Sequence, residues 1–228
     1  TQSGPGANFL IDGTQSMTEN QFTLRTDHQL SARDTLMIRY TFDDQDQFFP
    51  FDVFFVGPPL PTFPFDNPEQ RHSVAISEVH TFSPSLMNEF RFGLNRQTNP
   101  INNLDTTDPA EIGLPNGAPQ DVANGLPTVS VAGFGGSAGQ PLAGGGFTGF
   151  FSNRTVYQYI DHVSWIRGSH HLRFGGEARW IQINNGSFGG LRGSLVFNGS
   201  QNGLIDPSIP SNASAAAFAD FLLGLPSQ

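Results

Sequence analysis

Three separate stretches of the chain alternate apolar and polar residues almost one for one. In the first, Phe22, Leu24, Thr26, His28 and Leu30 alternate with Thr23, Arg25, Asp27, Gln29 and Ser31. After Ala32-Arg33-Asp34, the residues Leu36, Ile38, Tyr40 and Phe42 alternate with Met37, Arg39, Thr41 and Asp43. Successive side chains of a strand point to opposite faces. The pattern therefore predicts a hairpin over about 21–43 with one apolar and one charged face. A second hairpin is predicted over about 71–96. Val74, Ile76 and Phe82 mark its apolar face, Ser83-Pro84-Ser85 its turn, and Leu86, Phe90, Phe92 and Leu94 its return, opposed by Met87, Glu89, Arg91, Gly93 and Asn95. A third covers about 154–182. Tyr157, Tyr159, Val163 and Trp165 lead to a turn at Arg167-Gly168-Ser169, and Leu172, Phe174, Ala178 and Trp180 then alternate with Arg173, Gly175, Glu177 and Arg179.

The return strands repeat a local unit of apolar residue, Arg and aromatic: Ile38-Arg39-Tyr40, Phe90-Arg91-Phe92 and Leu172-Arg173-Phe174. A carboxylate often stands two residues from the Arg, as Glu89 does from Arg91 and as Glu177 does from Arg179. The hairpin is thus the repeating element, and the connections vary in length. Strands of about 10 residues are longer than the usual 5–6 of a soluble sheet and match a tilted strand crossing a bilayer. One end of the hairpins carries turns of about three residues. The other carries loops of about 27 and 57 residues (44–70 and 97–153) and a tail, 183–228. Short turns at one end and long loops at the other are the arrangement of outer-membrane barrels. The expected fold is all-β: a partial transmembrane antiparallel β-barrel of about six long strands, with long extracellular loops. Arg25, Asp27, Arg39, Asp43, Glu89, Arg91, Arg173, Glu177 and Arg179 are then expected to face the lumen, and the apolar set to face lipid. The competing reading is a soluble all-β binding module of the carbohydrate-binding type, with Tyr157, Tyr159, Trp165 and Trp180 on its ligand face. Two residues break the alternation. Glu78 and Asp161 fall on the apolar parity, which either an interfacial position or a β-bulge would explain.

The loops have their own chemistry. Phe48, Phe49, Phe51, Phe54, Phe55, Phe63 and Phe65 lie among several prolines, which exclude a regular helix or a central strand. They read as a possible ligand-contact loop or, more plainly, as rings packed on the barrel wall. Asp105, Asp108, Glu111 and Asp121 match no calcium-loop spacing and read as solvated loop acids. The Gly-rich run 133–149 lacks a following G-K-[ST] and reads as linker. Ser214 before an Ala run, with Gly224 and Pro226 closing it, predicts a short helix over 214–223, too short to span a bilayer.

Composition narrows the remaining classes. The 228 residues include no Cys, which removes disulfides and thiolate metal sites, and carry a net charge of −9, which disfavours nucleic acid. No apolar run approaches a membrane helix, and residues 1–8 do not resemble a signal peptide. His162, His170 and His171 cluster near the third turn but lack a completing ligand. We expect no metal site, no cofactor and, with no G-x-S-x-G, H-E-x-x-H or P-loop, no enzyme.

Four stretches together resemble the barrel region of Oar-like TonB-dependent receptors. They are Arg25-Thr26-Asp27-His28-Gln29-Leu30-Ser31; His80-Thr81-Phe82-Ser83-Pro84-Ser85-Leu86 with Asn88-Glu89-Phe90-Arg91-Phe92-Gly93; residues 165–177, from Trp165-Ile166-Arg167-Gly168-Ser169 to Gly175-Gly176-Glu177; and Ala219-Asp220-Phe221-Leu222-Leu223-Gly224. The resemblance implies a barrel of about 22 strands plugged by an N-terminal domain and driven through TonB, taking up a bulky ligand across the outer membrane. About six strands and no plug are present here, so the chain is expected to be a fragment. Its partners would be outer-membrane lipid, the rest of its own barrel and plug, the TonB system and an unidentified ligand.

Overall fold

The computed structural model describes residues 12–50, 63–112, 125–134, 141–142, 147–203, 209 and 212–227. Its frame is one antiparallel sheet in which each ribbon pairs with the next in sequence. The strands are β1 (Ser16–Gln29), β2 (Asp34–Phe49), β3 (Phe65–Asp66), β4 (Glu69–Ser83) and β5 (Leu86–Asn103), followed beyond a long loop by β7 (Phe147–Arg167) and β8 (His170–Gly189). A short β6 (Thr128–Val131) lies in that loop, and β9 (Ser194–Phe197) and helix α1 (Ala213–Leu223) follow β8. β3 and β4 form one broken ribbon between β2 and β5. The break falls at Asn67-Pro68, where Pro68 has no N–H to give the ladder.

The alternating stretches form the centres of these strands. The turns fall where the sequence places them, at residues 30–33, 84–85 and 168–169. At the far end the strands run on past the limits that alternation suggests. β5, β7 and β8 reach 18, 21 and 20 residues. The extensions of β5 and β8 are rich in Asn and Gly and that of β7 begins Phe147-Thr148-Gly149-Phe150-Phe151, so no alternation marks them and their pairing with neighbouring strands carries them. The pairing of β5 with β7 is continuous from Leu86↔Trp165 to Asn102↔Gly149.

Among the described residues, β1 pairs only with β2 and β8 only with β7, leaving both outer edges of the sheet without a strand partner. Burial on the sheet is correspondingly low, and every residue of β1 is exposed. The buried apolar residues lie at the long-loop end, on the last rungs of the sheet (Phe49 and Phe65) and beyond it. There β6 pairs in parallel with β9, so two loops distant in sequence share a small sheet. Val131, Phe197 and Ala217 form its core, with Val129, Leu142, Leu195 and Phe221 packed around them. The helix begins one residue before the predicted start and ends at Gly224, whose φ of 66° suits a residue without a Cβ.

Asp220 ties α1 down. It is fully buried and accepts hydrogen bonds from the backbone N–H of Gln201 (3.1 Å) and of Asn202 (2.8 Å), with the Asn202 side chain adding another. Burial pushes its pKa up, but these bonds, with one from the Gly199 N–H, outweigh burial and hold the carboxyl below its ordinary value of 3.8. Asp105, expected to be a solvated loop acid, is buried instead. Its carboxylate accepts from the N–H groups of Thr107 (3.1 Å) and Leu126 (2.8 Å), and Arg192 lies 3.5 Å away, itself buried. Burial lowers the Arg192 pKa, and Asp105 opposes that shift. Neighbouring residues in sequence gave no sign of this contact because Arg192 arrives from 87 positions away.

Gly175 marks a second close approach. A Cβ there would stand 2.1 Å from the Asp161 carbonyl oxygen and 2.5 Å from the His162 ring, whereas one at Gly176 would meet nothing within 4 Å. Gly175→Ala is expected to cost about 1–3 kcal/mol, as overpacking does, and Gly176→Ala little. Equal urea midpoints for the two variants in detergent micelles would contradict this. The depressed Asp220 pKa gives a second expectation. Its contribution to docking α1 is present above the unfolded carboxylate value and fades only as pH falls through the lower folded value. Hydrogen exchange of the α1 amides should therefore stay slow from neutral pH down to about 4, and Asp220→Ala should speed it throughout that range. Exchange unchanged by that substitution would refute the tie.

Candidate functional site

The sheet has two chemically distinct faces, and strand register sorts every residue between them. On one face a row runs across all six ribbons as Leu24, Tyr40, Val74, Leu94, Tyr157 and Trp180. The next row toward the short turns is Thr26, Ile38, Ile76, Phe92, Tyr159 and Ala178. Aromatic pairs cross the strands within these rows, with Phe92 and Tyr159 rings 5.2 Å apart and Tyr157 and Trp180 rings 5.6 Å apart. Trp180, Leu24 and Phe174 are all more than half exposed. A face this apolar and this open requires an apolar medium or a partner.

The opposite face carries the charges. Arg25 pairs with Asp27 at 2.7 Å, Arg91 with Glu89 at 2.7 Å and Arg179 with Glu177 at 2.7 Å, each between residues two apart on one strand. Arg173 reaches Glu89 at 3.8 Å, and Gln158 donates to Glu177 at 2.8 Å. Arg39 lies in register with Arg25 on the same face. These pairs are half-exposed, so water and salt screen them and each adds little to stability. Their effect is to keep the face polar and nearly neutral rather than to hold the sheet together.

A denser cluster lies nearer the long-loop end. Asp43 and Glu69 are buried, and Arg71 bridges them, 3.2 Å from Asp43 and 2.6 Å from Glu69. Glu69 also accepts from Gln97 (2.6 Å) and Asn99 (3.3 Å), and Asp43 from Gln21 (3.2 Å). A cleft of about 250 Å³ opens beside them, lined in part by Thr41, Asn95 and Arg154. A second, of about 350 Å³, lies lower, over Met37, Ser77, Arg91, Gly93 and Gln158. Sequence reading found Asp43 but missed Glu69 and Arg71. The available signal was their i, i+2 spacing, the same as in the other three pairs, at a strand start where alternation had not yet become visible.

The Phe-rich loop divides. Phe49, Phe63 and Phe65 are buried, with the Phe49 and Phe65 rings stacked at 4.6 Å, and Phe48 is partly exposed. Phe51, Phe54 and Phe55 lie outside the described residues. His162 and His171 share a face but stand four positions apart in register, about 13 Å at 3.3 Å per residue, while His170 is on the other face. They do not converge on an ion.

Glu78 and Asp161 lie in one row of the apolar face, on either side of Phe90. The β4–β5 register is unbroken from Gln70 to Thr81, and its one irregularity lies beyond, between Thr81 and Ser83. The β7–β8 register is unbroken through Asp161. No bulge turns either carboxylate inward, so both project from the apolar face. Phe82, Leu86 and Trp165 lie closer to the short turns than they do. Asp161 accepts from Asn88 at 2.8 Å across the β5–β7 seam. Across the β2–β4 seam, Asp34, Glu78 and His80 place their ligand atoms within 4.8 Å of one another. The sequence concealed this group because Asp34 and His80 are 46 positions apart.

No match was found among curated proteins. Among the described residues, no helix is long and apolar enough to cross a membrane, a point without bearing on strands. The whole chain, residues 1–228, matches the family described as Outer membrane beta barrel domain. That family is structural or transporting rather than catalytic, and its place is the bacterial outer membrane. A strand-dominated sheet with one apolar and one charged face, matched along its full length, belongs to the outer-membrane β-barrel domain family.

Proposed function

We propose that this chain is a wall segment of a TonB-dependent outer-membrane receptor that takes up a bulky ligand. Its apolar face would meet lipid. Its charged face, with Arg25, Asp27, Arg39, Asp43, Glu89, Arg91, Arg173, Glu177 and Arg179, would line the lumen. The observation that carries this reading is the height of the wall. A tilted strand needs about 9–11 residues to cross the bilayer, and β5, β7 and β8 have 18, 21 and 20. At 3.4 Å per residue and a tilt near 45°, β7 rises roughly 50 Å against about 30 Å of hydrocarbon. A wall that stands well clear of the membrane, topped by loops folded on their own core, suits capture of a large ligand outside the cell. The four stretches resembling Oar-like receptors point the same way. A soluble carbohydrate-binding module does not fit an outer-membrane family.

The two unpaired edges call for further strands of the same barrel, and the charged clefts face where a plug would sit. The remaining barrel, plug, TonB and ligand are thus partners of this segment. Phe51, Phe54 and Phe55 remain the candidates for ligand contact, because Phe49, Phe63 and Phe65 are occupied in packing.

Single-cysteine labelling of the full-length protein in outer membranes tests the faces. A water-soluble maleimide should label Arg91→Cys and spare Phe90→Cys, and equal labelling at both would sink the assignment. Phe92→Arg should destabilise the folded protein by about 2–4 kcal/mol, as cations facing mid-bilayer do, while Gln158→Arg should cost under about 1 kcal/mol. Similar costs, read from urea midpoints in lipid vesicles, would argue against a lipid-facing Phe92. In planar bilayers the full-length protein is expected to give no steady ion conductance, because a plugged barrel is closed at rest. A persistent open conductance would replace the receptor reading with a passive pore.

A further inference from the structure

We propose that Asp34, Glu78 and His80 form a binding site for a divalent transition-metal cation, which fastens the first hairpin to the second at the short-turn end. Their ligand atoms, two carboxylate oxygens and an imidazole nitrogen, lie within 4.8 Å of one another. An ion held at about 2.1 Å from each ligand in tetrahedral geometry needs donors about 3.4 Å apart. Reaching that spacing draws the farthest donors in by up to about 1.4 Å and replaces the Asp34–His80 hydrogen bond, and all three residues are half-buried rather than locked.

Three features of the surroundings ask for such an ion. First, the group sits on the apolar face, with Leu36 and Phe90 beside Glu78 in register, and Phe82 lies closer to the turn. A carboxylate in that position is costly unless neutralised. Second, the local charge is unbalanced. His80 hydrogen-bonds Asp34, and Ser31 donates to the same carboxylate, but among the described residues Glu78 has no hydrogen bond or ion pair. Two carboxylates and the neutral imidazole that metal ligation requires together carry −2, which one divalent cation cancels. Third, the site spans a seam. β2 and β4 are joined in sequence only through the long loop at the opposite end, so at the short-turn end the hairpins are held by their ladder, the Thr81 N–H to Arg33 carbonyl bond (2.8 Å) and the Asp34–His80 contact.

One nitrogen and two oxygens suit Zn²⁺, Mn²⁺ or Fe²⁺ better than Ca²⁺ or Mg²⁺, which prefer all-oxygen shells. The remaining positions would be taken by water from the headgroup region. Asp161, on the far side of Phe90 and already engaged by Asn88, is outside the set. The argument from cost takes the apolar face to be lipid-facing, as proposed above. The maleimide labelling tests that face, whereas ion binding is read directly, so the two can fail separately.

The test uses the full-length protein in detergent, stripped with a chelator and titrated with Zn²⁺ alone by calorimetry. We expect one high-affinity Zn²⁺ per chain and a rise in the unfolding midpoint. Even outer-shell changes weaken metal sites about 10–100-fold. Glu78→Gln and His80→Gln should therefore each weaken binding at least about tenfold and abolish the midpoint shift. Asp161→Asn should bind as the parent does. Heat-modifiable migration on gels reports whether each variant has folded, and Mn²⁺ electron spin echo on the parent provides a readout without substitution. A histidine nitrogen modulation on bound Mn²⁺ supports the site, and its absence overturns it. No saturable Zn²⁺ binding, or binding undiminished in both ligand variants, would also overturn it.

Discussion

Everything in this molecule depends on the lateral ladder of backbone hydrogen bonds. A chain in lipid has no water to satisfy its N–H and C=O groups, so each strand must satisfy them through its neighbours. The six ribbons do this in sequence order, each pairing with the next. The ladder also fixes the register, and register decides which side chains share a face. A slip of one residue would exchange Arg91 for Phe90 and invert the chemistry of both surfaces. The strict alternation in the central strands is what makes such a slip costly.

Where the ladder is secured, the two faces solve different problems. On the charged face, arginines pair with carboxylates two positions along the same strand, so the pairing survives whatever the neighbouring strand contributes. Arg173, which also reaches Glu89 on another strand, and the denser Asp43–Arg71–Glu69 cluster depart from this rule. The cluster links neighbouring strands and buries two carboxylates around one guanidinium, with Gln97 and Asn99 also donating to Glu69 and Gln21 to Asp43. On the apolar face, rings carry the load, and the polar residues collect at the seams between hairpins. Asn88 with Asp161, and Asp34 with His80 and Glu78, stand where consecutive hairpins meet without a short connection.

The loops depend on the sheet in another way. β6 and β9 come from either side of the β7–β8 hairpin, and that long hairpin brings them together. Once paired, they offer an apolar surface that α1 covers, with Ala216 and Ala217 allowing the close approach that larger residues would prevent. Buried Asp105 and Asp220 then accept the N–H groups that irregular backbone leaves unpaired, much as caps do at helix ends.

The sequence by itself determined the hairpins, their turns and the face of each central residue, because a period of two is written directly into neighbouring positions. It also determined α1, through the Ala run and Gly224. It marked Glu78 and Asp161 as misfits without explaining them. Only the tertiary structure decided what depends on distant partners. It showed how far the strands continue, since Asn- and Gly-rich ends such as those of β5 and β8 carry no alternation and are strands only because a neighbour pairs with them. It paired β6 with β9, buried Asp105 against Arg192, and brought Asp34 to Glu78 and His80. Alternation is a local property and survives in the sequence. Contacts across 46 or 87 positions are set by register and by loop packing, and no local pattern records them.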